Sequence, residues 1–411
     1  MPDIHRIVML TPDFEIDRRI ILEAQSLIRE GKEVILIAGN DGRMPEYEQK
    51  DGIKIRRPLY HGIDSRLACF YRWSGSFFSL MSRIVNKILG KVAVVLEKLT
   101  KKSGYDCYLA ELADYYRPDA IHAHDLPMLP AAHICSKDRK IPLVYDSHEL
   151  YTEEELPKSA KKMLKAKERR YIMDANVITV NPYLKKEFEK WYGKQGISII
   201  ENATVRRPDF DPDRKYDLFR DEYQLPTESR LLLYQGWFSP HRNLATLVKG
   251  MKYLDESCYL LLMGYGDYGD ELSELASETG VGGNVIFVPA KSQEELLFYT
   301  ASADIGLMPY LKSKNLNNLY SSPNKLYEFI AAGLPILAND LPYYHDIIEK
   351  FNNGIVRNIE DPESFAGAVK EMLSSDLGQF RQNARAAYAE LNWDRESEKL
   401  LEVYQEIEKE Q

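Results

Sequence analysis

The sequence predicts an α/β fold: two Rossmann-like domains, each built on a doubly wound parallel sheet. Three observations carry that expectation. Short runs of Val, Ile and Leu alternate with helical periodicity along nearly all of the 411 residues, the pattern of βα units stacked into parallel sheets. The length exceeds what one hydrophobic core usually serves. The alternation stops only once, over 202–226, where Arg206-Arg207-Pro208-Asp209-Phe210-Asp211-Pro212-Asp213 is charged and interrupted by proline, as a linker would be.

In chain order, the apolar runs of the first half predict strands at Arg6 to Leu10, Glu33 to Ala38, Ile53 to Arg56, Ala120 to His124, Pro142 to Tyr145 and Val177 to Val180. After the break they predict strands at Leu231 to Tyr234, Cys258 to Met263, Asn284 to Val288, Asp304 to Met308, Pro335 to Ala338 and Gly354 to Val356. This divides the chain into a domain over 1–202 and another over 203–392. The tail over 393–411 is a helix with apolar Leu400, Leu401, Val403, Tyr404 and Ile407, placed to pack back on the first domain. Ligands of doubly wound sheets sit beyond the carboxyl ends of the strands, so two facing domains would bind in the cleft between them.

Composition narrows the function. With 44% apolar and 28% charged residues, a mean hydropathy of -0.40 and no long apolar run, the chain reads as a globular cytoplasmic protein without a secretory leader. Cys69, Cys107, Cys135 and Cys258 show neither paired nor metal-ligand spacing, so they read as reduced thiols and no metal site is expected. A net charge of -9 gives no sign of a nucleic-acid partner. The stretch 63–103 differs, with eight basic side chains against Asp64 and Glu97 and aromatics such as Phe70, Tyr71, Trp73, Phe77 and Phe78 between them. It fits an amphipathic segment lying on the inner face of an anionic membrane, and equally a helical hairpin packed on its own domain.

The chemistry concentrates in Ser321-Ser322-Pro323-Asn324-Lys325-Leu326-Tyr327-Glu328, which opens a helix ending at Gly333-Leu334-Pro335. Its first turn holds no acid but offers a serine cap, a proline and a lysine. Free amides around Ser321, Ser322, Asn324, Lys325 and Leu326, the helix dipole and an ammonium would then converge on a phosphate. Glu328, one turn on, is placed to accept two hydroxyls of a nucleotide ribose; the alternative is an exposed surface acid. In Gln235-Gly236-Trp237 to Arg242 a strand runs into a helix, putting a second cation, Arg242, where the two can neutralise a diphosphate leaving group.

Gly264-Tyr265-Gly266-Asp267-Tyr268-Gly269 matches a dinucleotide fingerprint, but the following strand ends Val288-Pro289-Ala290-Lys291 without the ribose-binding acid, so the glycines read as a tight turn. In the first domain His122 and His124 sit two apart at a strand end, on one face of the sheet, with His124 expected to project outward. Asp125 follows, and the next strand ends Tyr145-Asp146-Ser147-His148-Glu149. Asp209, Asp211 and Asp213 have a metal-like spacing, but in a charged linker they read as solvated.

These residues resemble the retaining glycosyltransferases of GT-B fold known as glycosyl transferases group 1 or family 4, most specifically at Pro323 to Pro335. The resemblance implies a second domain binding a nucleotide diphosphate sugar, with Glu328 on the ribose, and Gly236, Trp237, Arg242 and Lys325 near the diphosphate. It implies His124 beside the donor sugar, and an acceptor side in the first domain near His148, Glu149 and Asp125. The implied enzyme is a metal-independent hexosyltransferase of polysaccharide synthesis, using no cofactor beyond its donor and acting on a glycan, lipid-linked in view of 63–103. Three positions depart from the family pattern: Tyr320 replaces a glutamate eight before Glu328, Trp237 stands where a basic residue often follows the glycine, and Thr11 to Arg18 replaces a glycine-rich turn. A sugar-nucleotide epimerase of similar architecture, or a donor-binding subunit without turnover, would share these features.

Overall fold

The computed structural model describes residues 3–59, 103–153 and 156–410; the basic stretch 63–103, apart from Ser103, lies outside them. The chain forms two compact units, one of Met1–Ile200 with Ser397–Gln411 and one of Glu201–Glu396.

The first unit holds β1 (Arg6–Leu10), β2 (Glu33–Ile37), β3 (Tyr47–Lys50), β4 (Ile53–Arg56), β5 (Ala120–His124), β6 (Leu143–Ser147), β7 (Asn176–Thr179) and β8 (Ser198–Ile199). They form one sheet in the order β3-β4-β2-β1-β5-β6-β7-β8, parallel except where β3 runs antiparallel to β4. Ile7 to Leu10, Ile121, Ala123, Val144 and Tyr145 are fully buried, as strands covered by helices on both faces must be. The Trp393–Glu410 helix ends in this unit, where Lys32 Nζ lies 2.8 Å from Glu408 and the Tyr404 hydroxyl 3.0 Å from His122 Nδ1.

The second unit holds β9 (Arg230–Trp237), β10 (Cys258–Tyr265), β11 (Val285–Pro289), β12 (Ile305–Met308), β13 (Ile336–Ala338) and β14 (Gly354–Val356). All are parallel, in the order β11-β10-β9-β12-β13-β14. All twelve expected strands form, the longest extended by a few residues. The two without an expectation are β3 and β8. Both sheets reverse strand order beside their first strand, between β1 and β5 and between β9 and β12, which is where a doubly wound sheet opens a crevice.

Candidate active site

In the second unit the carboxyl ends of β9 to β12 surround a cavity of about 320 Å³. Its walls include Gln235, Gly236 and Trp237 from β9, Gly264 and Tyr265 from β10, Tyr310 beyond β12, and Asn324, Lys325 and Glu328 from the Asn324–Ala332 helix. Glycine is required where β9 and β10 close together. A Cβ on Gly264 would lie 1.9 Å from the Gly236 carbonyl oxygen, and one on Gly236, at φ +123°, 3.4 Å from Lys325 Nζ. The tight turn expected of Gly264 to Gly269 is present where β10 gives way to the Tyr268–Glu278 helix, the Gly269 amide donating to the Gly266 carbonyl at 3.1 Å, and the rings of Trp237 and Tyr265 are exposed.

The helix start differs from the expected serine cap. Pro323 is the N-cap and no side chain bonds the first amides. Ser321 and Ser322 instead pair with the hydroxyls of Tyr344 and Tyr327, at 2.7 and 3.1 Å, because those buried phenols need partners more than a cap does. The Leu326 amide is committed to the Pro323 carbonyl at 3.0 Å, so it is not one of the free amides the sequence promised. An acid-free first turn remains, presenting the positive end of the helix dipole to the cavity.

Lys325 is buried, and its Nζ has no hydrogen-bond acceptor. It rests 3.7 Å from the Tyr234 ring centroid and 5.1 Å from that of Tyr310, whose ring also carries the Arg242 guanidinium at 4.3 Å. Burial, then the charge of Arg242, hold the lysine well below its ordinary value, Glu328 only partly opposing them. Two cations sharing one aromatic ring, one of them desolvated, make a site that an anion relieves.

Glu328 is also buried, which removes its reading as a surface acid. Gln235 Nε2 donates to its Oε2, and Gln235 Oε1 accepts from the Thr300 hydroxyl at 2.9 Å. This relay fixes the carboxylate at the cavity wall. Gln235, Tyr234, Tyr310 and Thr300 were not expected as site residues. The one available signal was Gln235, a polar side chain among the buried positions of β9.

In the first unit the carboxyl ends of β5 and β6 carry the other candidates. His124 does not project outward: it is fully buried, stacked on His122 with centroids 4.4 Å apart. Burial lowers it to about 4 despite the neighbouring Asp146, so it is a neutral imidazole. The more accessible ring is His148, 17% exposed, with Nε2 3.0 Å from Asp146 Oδ2. Its own amide donates to Asp125 Oδ1 at 3.0 Å, and Glu149 beside it is half-buried. Burial would depress His148, but Asp146 and Asp125 overcome this and raise it to about 10. Burial moves Asp125 up to about 6.

Beneath these lies a buried network the sequence reading missed. Arg19 Nη2 meets Asp146 Oδ1 and Oδ2 at 3.0 and 2.9 Å, Nη1 donates to the Ile200 carbonyl at 2.5 Å, and Nε lies 3.0 Å from Glu23. Burial and the Asp146 charge raise Glu23 well above the carboxylate range, with Arg19 opposing them. Burial would raise Asp146 too, but Arg19 and His148 hold it well below. The atoms of Glu23, His122, His124 and Asp146 come within 4.8 Å of one another, a spacing a cation could bridge. Arg19 already supplies positive charge to two of the four.

His148 gives a pH prediction. A group whose folded value is raised contributes stability fully below its unfolded value, and that contribution is lost as pH rises through the folded value. Unfolding measured from pH 6.5 to 10 should therefore show stability falling, with a shallower fall in His148→Gln. Equal slopes would mean His148 is not held charged.

The linker aspartates form no cluster. Asp209 pairs with Arg207 at 2.8 Å and Asp213 with Arg385 at 2.7 Å. Cys107, Cys135 and Cys258 are free thiols. Among the described residues, no helix is long and apolar enough to cross a membrane.

Comparison with known proteins matches both units. Residues 215–390 match the family described as Glycosyl transferases group 1, and residues 16–204 match Glycosyltransferase Family 4. An uncharacterized glycosyltransferase of Methanocaldococcus jannaschii is 25% identical, over 93% of this chain and 91% of its own. The O-antigen chain mannosyltransferase of Salmonella typhimurium is 24% identical over 50% of this chain and 53% of its own. Among solved structures, sucrose-phosphate synthase from Thermosynechococcus elongatus has a TM-score of 0.70 at 17% identity, covering 99% of this chain and 100% of that one. An Anabaena protein crystallised with UDP-glucose has 0.67 at 15%, covering 98% of each. At these identities the structural likeness establishes the two-sheet GT-B fold. With both halves matched in order, the chain belongs to the family 4, or group 1, glycosyltransferases, a retaining family that uses nucleotide-sugar donors.

Proposed function

We propose that this protein transfers a hexose-type sugar from a nucleotide diphosphate donor to a glycan acceptor in cell-surface polysaccharide synthesis, with retention at the anomeric carbon. The observation that carries the donor half is Lys325, buried and without an acceptor beside Arg242, at a helix start with no acid. The region 203–392 then holds the donor, with Glu328 on the ribose and Gly236, Trp237 and the Asn324 and Lys325 amides near the diphosphate. As the nucleotide diphosphate leaves, Lys325 and Arg242 stabilise its growing charge, and the acceptor hydroxyl attacks from the same face. Oriented donors in a desolvated site do this without reorganising, so no metal is needed to hold the leaving group.

The region 1–202 takes the acceptor side, near His148, Glu149 and Asp125. His124, neutral and buried, would act from behind His148 or after a local rearrangement that brings it to the sugar. The printed names of several relatives support a cell-surface product: O-antigen in Salmonella typhimurium, lipopolysaccharide core in Rhizobium meliloti and, putatively named, teichuronic acid in Bacillus subtilis. The basic aromatic stretch 63–103 supports a lipid-linked acceptor met at the inner face of the membrane by a cytoplasmic enzyme.

Glu328→Gln keeps the shape and the Gln235 contact but removes the charge that two ribose hydroxyls would share. It should lower kcat/KM for the donor at least about tenfold, near 1.4 kcal/mol. Wild-type kinetics in this variant would remove the ribose assignment. Tyr320, in place of the family's glutamate, favours a second reading as a donor-binding subunit. Donor binding with neither hydrolysis nor transfer across an acceptor panel would select it.

A further inference from the structure

The second unit has another cavity, of about 280 Å³, at the opposite, amino-terminal edge of its sheet. It is lined by cations, among them Lys215, Arg220, Arg381 and Arg385, facing Asp213, Asp217 and Asp304. The carboxylates are oversubscribed. Asp217 meets both Lys215 and Arg220 at 2.9 Å, and Asp304 meets Arg220 at 2.7 Å and Arg381 at 3.6 Å. Asp213 is held by Arg385 at 2.7 Å. Arg220 is nine-tenths buried, and the Nε–H groups of Arg220 and Arg385 have no acceptor. Positive charge thus remains after every local acid has been used, in a chain whose net charge is -9.

Surface ion-pair networks usually balance their charges or leave them to solvent. A walled pocket with surplus guanidinium donors, partly fixed by burial, is instead the construction that binds phosphate groups, because the planar fork presents paired N–H donors to two oxygens. Its place in the fold is also distinctive. Ala332 lines it, the Arg385 side chain packs against Gly333, the left-handed C-cap of the Asn324–Ala332 helix, and Arg206 Nε donates to the Ala331 carbonyl at 2.7 Å. That nine-residue helix therefore has its first turn at the donor cavity and its last at this one, about 13 Å apart.

We propose that this cavity is a second anion site, separate from the donor pocket, that takes a small phosphate compound. The inference stands on the Arg220, Arg381 and Arg385 geometry and does not require the donor assignment. Inorganic phosphate is the probe, titrated by calorimetry into the full chain at constant ionic strength with no nucleotide present. Expected is a saturable component that is weakened at least tenfold in Arg385→Gln and in Arg381→Gln and that persists in Lys325→Met. Arg381 bonds the Ala303 carbonyl, so its variant can fail to fold. The ion pair of Arg385 is with Asp213 at the surface, so its variant decides the question. Binding that does not saturate, or that survives Arg385→Gln intact, overturns the proposal. Binding lost in Lys325→Met, with Arg385→Gln unaffected, would return the phosphate to the donor pocket and overturn it equally.

Discussion

Replacing Lys325 with methionine is expected to lower kcat about 10²–10³-fold, the loss of about 3–4 kcal/mol that follows removal of one preorganised charge donor from a developing anion. Methionine keeps an unbranched side chain against the rings of Tyr234 and Tyr310 and removes only the ammonium. The same variant should be at least as stable as wild type without ligand. Burial, the largest influence on this amine, opposes its charge, and Arg242 adds repulsion, so deleting it relieves a desolvated group rather than breaking a bond. Kinetics and thermal unfolding of the same preparation check both halves. Unchanged kcat would take Lys325 out of the diphosphate site; lost activity with lost stability would reduce it to a packing residue.

Arg19→Met is expected to have the largest effect on folding, destabilising the protein by about 3–5 kcal/mol, because breaking a buried pair leaves the partner charge only partly compensated. That partner is Asp146, fully buried, which keeps His148 at 3.0 Å but loses the Arg19 contact to both of its oxygens. Urea denaturation gives the shift in midpoint, and adding Asp146→Leu should recover part of the loss, since removing both charges removes the stranded one. A loss below about 1 kcal/mol, the size of an exposed pair, would contradict this account of the network.

The sequence made the sheets legible because their strands are fully buried. Runs such as Ile7 to Leu10 and Cys258 to Met263 are continuous apolar segments, a local signal. The strand Tyr47–Lys50 carries none. It reads Tyr-Glu-Gln-Lys, lies largely exposed at a sheet edge and pairs antiparallel with its neighbour, so its conformation comes from that pairing. Ser198–Ile199 is too short to show a pattern.

The site divides in the same way. The acid-free helix start, Arg242 and the paired glycines are local features, and the structure gathers them around one cavity. The contacts that tune them are not local. Glu328 is held by Gln235, 93 positions away, and Arg19 reaches Asp146 across 127, so only the fold brings them together. His124 shows the limit of strand alternation. Alternation placed it on the same face as His122, as the stacked rings confirm, but gave no means of knowing that His148 would cover it. The serines before Pro323 look like caps in sequence, yet buried tyrosines 5 and 23 positions on claim their hydroxyls.

The most direct test is the position of a nucleoside diphosphate sugar in crystals of the full chain. The phosphates should lie within hydrogen-bond distance of Lys325 Nζ and the Asn324 and Lys325 amides, with the ribose hydroxyls on Glu328. Ligand density away from the start of the Asn324–Ala332 helix would contradict the assignment.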